Sequence, residues 1–368
     1  MKKILSVLLV LAALLAMATS AALAAEIALV TDVGTIDDES FNQATWQGVK
    51  AYCEANGIEY TYYQPTEDST DARCISIDQA IKEGANVVVM PGYLFGGSIV
   101  REQEKYPEVY FIAVDVGAGD LTEDYATYYD PAANVVCATF AEEQAGYLAG
   151  YAVVMDGYTK LGFLGGMAVP AVVRYGYGFV QGVNAAATEL NIADQVSVKY
   201  VYGNKFAPAP EITAVMDTWY KGGTEVVFAC GGGIYASAAE AAAKVEGAKV
   251  IGVDVDQAGI IDGKYGEGMT VTSAMKGLAP TVKTVLAAIS ADKWADFGGK
   301  IETLGLVSET PEDNYVQLAG STQFADGFTQ DDYKTLVASM FKGDIKVDNS
   351  TEKMPEVSVK VETFDNIL

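Results

Sequence analysis

Asp32, Asp115 and Asp254 each stand at the carboxyl end of a short run rich in Val and Ile, and Gly92, Gly165, Gly166, Asn204 and Gly231–Gly233 occupy the same kind of place in other runs. Carboxylates in such positions accept hydrogen bonds from hydroxyls or amines, and glycines let backbone donors approach a bound molecule closely. Any one strand-end aspartate is well explained as a helix cap or a turn former. Their recurrence through the chain points instead to a cleft, because open parallel sheets bind ligands beyond the carboxyl ends of their strands.

Other chemistries lack material. The chain has no histidine, so a Ser-His-Asp arrangement is excluded, and no G-x-S-x-G elbow occurs. The first strand leads into Asp32-Val33-Gly34-Thr35 with no G-x-G-x-x-G, and no phosphate-binding G-x-x-x-x-G-K-[ST] loop is present. The four cysteines, Cys53, Cys74, Cys137 and Cys230, form no C-x-x-C pair, leaving almost nothing for a zinc site; no metal and no cofactor are expected. Cys53 and Cys74 are either a disulfide or, with the other two, buried thiols. The only arginines are Arg73 and Arg101, on helix faces expected to be exposed, and Arg174, which either faces the cleft or pairs with a surface carboxylate. So few cations favour a neutral ligand over a phosphorylated one. An enzyme working with Asp, Lys and Tyr alone stays open as an alternative.

The elements that must position these residues alternate. Ile27–Val33, Tyr60–Gln64, Asn86–Met90 and Val109–Val116 read as strands, separated by helices over Ser40–Asn56, Asp71–Glu83 and Ser98–Tyr106. Ser40 with Gln43 has the spacing of a capping box. The pattern restarts with a helix over Glu142–Met155 and strands over Lys160–Gly165, Val196–Tyr202, Glu225–Ala229 and Val250–Val253. Two α/β runs in tandem imply two doubly wound parallel-sheet lobes joined by a hinge, with Asp115–Asn134 as the first crossing. The expected division is 25–133 with about 257–290 in the N-terminal lobe, and 134–256 with about 291–368 in the C-terminal lobe.

Lys2 and Lys3, an apolar run from Ile4 to Met17 and the small residues ending at Ala22-Leu23-Ala24 have the order of a signal peptide, 1–24. The run is shorter than the ~20 residues a spanning helix needs. A formal net charge of −25 repels phosphate backbones and anionic lipid, so a nucleic-acid partner is disfavoured.

Thr31-Asp32-Val33-Gly34, followed by Asp38-Glu39-Ser40-Phe41-Asn42-Gln43, resembles the opening signature of the basic membrane protein family of ABC-transporter nucleoside-binding lipoproteins. The similarity continues through Gly176-Tyr177-Gly178-Phe179, Gly203-Asn204-Lys205-Phe206, Gly231-Gly232-Gly233-Ile234-Tyr235, Gly252-Val253-Asp254-Val255-Asp256-Gln257 and Thr272-Ser273-Ala274-Met275-Lys276. The resemblance implies a type I periplasmic-binding fold, a purine nucleoside ligand, an ABC permease as partner, and contact with the membrane only through that permease. It implies that Phe41 and Phe206 sandwich the base, that Asp32 and Asn42 are polar contacts of the first lobe, and that Asp115 is the base-binding carboxylate. It makes Asp254 and Lys276 the ribose-binding pair, with Gly232 lining the site. No cysteine precedes Cys53, so the family's usual lipid anchor is not expected and an exported, diffusing protein is. A sugar or other small neutral solute is the alternative ligand. A nucleoside-processing enzyme on the same scaffold and a ligand-gated signalling module are alternatives of a different kind.

Overall fold

Strands buried on both faces need helices on both sides, and the Val- and Ile-rich runs of this chain have that surrounding. The computed structural model describes residues 26–368 other than Val33; the segment read as a signal peptide lies outside the described residues. Lobe one begins with β1 (Ile27–Val30), α1 (Phe41–Asn56), β2 (Tyr60–Tyr63), α2 (Thr70–Lys82), β3 (Val87–Pro91), α3 (Gly96–Lys105), β4 (Tyr110–Val114) and β5 (Val135–Phe140). The chain then enters lobe two with α4 (Glu142–Met155), β6 (Lys160–Gly165), α5 (Pro170–Glu189), β7 (Ser197–Tyr202), α6 (Pro210–Lys221), β8 (Val226–Cys230), α7 (Tyr235–Ala242), β9 (Lys249–Asp254), α8 (Ala258–Tyr265) and β10 (Thr270–Lys276). It returns to lobe one for α9 (Leu278–Ser290) and β11 (Lys300–Leu304). It ends in lobe two with β12 (Val316–Leu318), α10 (Gln330–Lys342) and β13 (Lys360–Thr363).

The two sheets repeat one plan. Lobe one runs β11-β5-β4-β3-β1-β2 and lobe two runs β12-β10-β9-β8-β6-β7, with β13 added beside β7. All pairs are parallel except β10 with β12. Each lobe sends the helix after its fifth strand to the other: α4 packs on α5 of lobe two, and α9 packs on α1 of lobe one. The α4–α5 contact is backbone to backbone. A Cβ on Gly146 would lie 2.1 Å from the Tyr175 carbonyl oxygen, and one on Gly178 would lie 2.1 Å from that of Glu143, so only glycine permits this approach.

The sheets divide the chain differently from the expected boundaries. β5 belongs to lobe one and β10 with α8 to lobe two, while β11 returns to lobe one. The Asp115–Asn134 stretch is not a crossing; it loops back to pair β5 with β4. The chain crosses at Ala141, at Gly277 and between β11 and β12. These crossings are laced together: Ala141 N donates to the Leu304 carbonyl at 2.9 Å, Gly277 N to that of Tyr315 at 2.7 Å, and Leu306 N to Gln144 Oε1 at 2.9 Å. Such short, bonded links are hinge material.

One further expectation changes, and one open alternative closes. Arg73 is buried, pairing with Asp68 at 2.8 Å over the ring of Phe95, so its helix face is covered. All four cysteines are buried free thiols, Cys53 and Cys74 included. No helix among the described residues is long and apolar enough to cross a membrane.

Candidate ligand-binding site

Asp32 follows β1 at the carboxyl edge of the first sheet. Its Oδ1 accepts from Gly34 N at 2.7 Å and from Asn42 Nδ2 at 3.0 Å. Burial pushes its carboxyl up to about 6 against those two hydrogen bonds. The N-terminus of α1 is capped by Asp38, which accepts from the backbone N–H groups of Ser40, Asn42 and Gln43 at 2.9–3.0 Å. The expected Ser40–Gln43 capping box does not form, because this carboxylate reaches the free donors first. Gln43 Oε1 takes the N–H of Glu39 instead, and the Ser40 hydroxyl turns across the cleft to donate to Asp254 Oδ2 at 2.5 Å. Capping by Asp38 fixes Phe41 and Asn42 on the first turn, beside Asp32.

Lys276 ends β10 at a crossing and is the centre of the site. Its ammonium pairs with Asp115 Oδ2 of lobe one, lies 3.4 Å from Glu142 Oε1 at the first turn of α4, and 3.8 Å from Asp254 Oδ1 of lobe two. It also sits 4.8 Å from the centre of the Phe41 ring, with Phe140 at 5.5 Å and Tyr175 at 5.8 Å. Burial alone disfavours an ammonium, but the carboxylates of Asp115, Glu142 and Asp254 outweigh it and raise Lys276. Burial raises Asp115 to about 7 against the pull of Lys276, and raises Asp254 as well. Asp115 and Asp254 occupy matching places, each just past its sheet's fourth strand or at its end, with φ of +58° and +66°. That left-handed turn is uncommon for residues with a side chain, and it turns both carboxylates toward one lysine.

Phe206 lies in the loop after β7, partly buried, with its ring over the strand-end glycines of lobe two. A Cβ on Gly166 would be 2.3 Å from the ring and one on Gly231 2.8 Å. Gly232 takes φ +53°, and a Cβ there would lie 2.6 Å from the Phe206 carbonyl oxygen, which accepts from Gly233 N at 2.8 Å. The glycine run is thus the floor on which the aromatic loop rests.

The structure gathers Phe41, Asp115, Asp254 and Lys276 around one point, with Asp32 and Asn42 beside Phe41 and with Phe206 and Gly232 on the lobe-two floor. It adds residues that sequence reasoning did not single out. Glu142 is fully buried and bridges Lys276 to Arg174, whose Nε donates to it at 2.6 Å. Arg174 therefore pairs with a buried carboxylate at the hinge, not with a surface one. Glu142 opens an apolar helix, where an acid ordinarily complements the helix dipole, and that ordinary explanation hides its role. A separate cavity of about 270 Å³ lies at the amino ends of the lobe-two strands, lined by Asp156, Tyr158, Thr272 and Phe324, and includes none of these site residues.

The arrangement offers acceptors from both lobes, one fixed ammonium and aromatic faces, which suits a small neutral molecule with ring and hydroxyl groups. Comparison with known proteins agrees with a binding role. Residues 25–336 match the Bmp family, described as ABC transporter substrate-binding protein PnrA-like. A Lactococcus lactis subsp. cremoris protein named ABC transporter nucleoside-binding protein BmpA is 27% identical over 316 residues, 79% of this chain and 84% of that one. The CD4+ T-cell-stimulating antigen of Listeria monocytogenes is 29% identical over 338 residues, 85% of each chain. An ABC transporter solute-binding protein of Conexibacter woesei superposes with a TM-score of 0.67 at 21% identity, covering 88% of this chain and 98% of that one, which supports the type I periplasmic-binding fold. One from Aeropyrum pernix does so at 0.65 and 21%, covering 87% and 86%. The family match, spanning most of the chain and both lobes of the cleft, places this protein in the Bmp family of PnrA-like ABC transporter substrate-binding proteins.

Proposed function

We propose that the protein captures a purine nucleoside between its lobes and delivers it to an ABC permease. The observation that carries this reading is Lys276: a buried ammonium between a carboxylate of each lobe, seated against the Phe41 ring. Vicinal ribose hydroxyls donate to Asp254 and accept from Lys276, while the base stacks on Phe41 and Phe206 and offers N–H donors to Asp115. The lactococcal relative, named for nucleoside binding, supports the same ligand class. Acceptors and a hinge serve capture and release, so turnover is not part of the reading. Substrate-binding proteins of this family work outside the cytoplasm, and the leader-like segment 1–24 fits export.

Native mass spectrometry of the protein as purified, followed by exchange with inosine and guanosine, tests the proposal. A complex shifted by one nucleoside mass, with no free base produced on incubation, is expected. Release of hypoxanthine or guanine makes it an enzyme, and retention of a pentose in place of a nucleoside makes it a sugar binder.

A further inference from the structure

Outside the eight candidate ligand contacts, a second set of bonds joins the lobes. Glu39, in the loop before α1, has a φ of +56°, which no glycine is there to relieve. Its backbone is held in that turn from both sides: its N–H donates to Gln43 Oε1 at 2.8 Å, and its carbonyl accepts from Gln257 Nε2 of lobe two at 3.1 Å. Its carboxylate accepts from the Tyr235 hydroxyl, on the first turn of α7, at 2.6 Å. Gln257 is only 1% exposed and is fixed by its own lobe, since its Oε1 accepts from Val253 N at 2.9 Å and its N–H donates to Ser273 Oγ at 3.1 Å. The amide group is thereby committed to presenting Nε2 across the cleft.

We infer that Glu39, Tyr235 and Gln257 form an interlobe clasp that sets how long the closed cleft retains its ligand. The inference rests on the capture-by-closure reading above. Swinging the lobes apart at Ala141 and Gly277 breaks both bonds to Glu39, whereas encounter of a ligand with the open cleft breaks neither. The clasp therefore acts on the dissociation rate and leaves association nearly unchanged. It acts through closure and touches no ligand atom, so these are positioning residues.

The test is stopped-flow fluorescence with inosine on the full chain. The variants are Tyr235→Phe, which keeps the ring, Glu39→Asn, which tolerates positive φ but is too short to reach Tyr235, and the pair combined. A charge-assisted hydrogen bond lost from the closed state makes dissociation about tenfold faster in each single variant, with association within about twofold of wild type. Because both changes remove one shared bond, the double variant should be little worse than either. Unchanged dissociation, or a lowered melting temperature with unchanged dissociation, overturns the clasp and leaves a structural contact. If inosine binds neither wild type nor variants, the nucleoside reading fails on its own. The same dissociation measurement with ribose then decides the clasp: release should again be about tenfold faster in Tyr235→Phe, and equal release overturns it.

Discussion

The third strands of the two lobes end alike and then diverge. β3 runs into Gly92 at φ +121° and β8 into Gly231 at φ +131°, and each is followed by one turn of 3-10 helix and an α-helix. In lobe one a Cβ on that glycine would lie 2.8 Å from Asp32 Oδ2; in lobe two it would lie 2.8 Å from the Phe206 ring. The same backbone device supports a carboxylate on one side of the cleft and an aromatic face on the other. The fourth strands diverge too. Asp254 already receives the Ser40 hydroxyl from the opposite lobe, while Asp115 Oδ1 is buried with no hydrogen-bond partner among the described residues. A buried acceptor without a donor is costly, so Asp115 Oδ1 is the oxygen most suited to a ligand N–H. A duplicated frame has thus been given unlike contents, which is what recognition of an asymmetric ligand demands.

The largest effect expected is from Lys276→Met, which removes the charge both halves share. It leaves Asp115, Glu142 and Asp254 buried with Arg174 as their remaining cation. Breaking a buried pair from one side costs about 3–5 kcal/mol. Denaturant titration should show a loss of that size together with lost nucleoside binding; a stable variant that still binds would mean the two aspartates act independently.

Next in size are the two sides taken separately. Asp254→Ala removes a charged acceptor worth about 1.5–3 kcal/mol, so ribonucleoside affinity should fall about ten- to a hundredfold, and 2′-deoxynucleosides should lose less. Phe206→Ala should weaken nucleoside binding by about 1–3 kcal/mol through loss of one stacking face, with a small change in melting temperature because its ring covers glycines at the cleft. Calorimetry and thermal melts of both variants check these values. Unchanged affinity beside a large drop in melting temperature would make Phe206 a core residue.

The smallest effect is the pH dependence of Asp115. Its folded-state pKa is raised to about 7 from an ordinary value near 3.8, so between those limits the native state holds a proton that the unfolded chain has released. Its contribution to stability must then fall as pH rises from about 4 to about 7 and level off above. The melting temperature of wild type minus that of Asp115→Asn should follow that course. A difference that stays flat across the window would mean that Lys276 holds Asp115 ionised throughout.

Much of this was legible in the sequence, and for physical reasons. Buried parallel strands are Val- and Ile-rich, so β1, β3, β4, β8 and β9 stand out, and the strand-end aspartates with them. Less legible was whatever depended on a partner far along the chain. Lys276 reads as the neighbour of Asp254, yet its nearest carboxylate is Asp115 from the opposite lobe. Neither β5 nor the lobe that holds β10 is legible in the sequence, because the first two crossings take single residues, Ala141 and Gly277, with no linker composition to mark them. Ser40 has cap spacing, but Asp38 two residues earlier reaches the same donors and releases the hydroxyl for the other lobe.

The central claim is that one ligand bridges unlike halves, its ribose at Asp254 and Lys276 and its base at Phe41, Phe206 and Asp115. Calorimetric titration of the wild-type protein with inosine, and separately with hypoxanthine and with ribose, tests it most directly. The account predicts that inosine binds about ten- to a hundredfold more tightly than hypoxanthine and that ribose binds more weakly still. Equal affinity for inosine and hypoxanthine would contradict it, leaving Asp254 and Lys276 as an ion pair that only holds the lobes together.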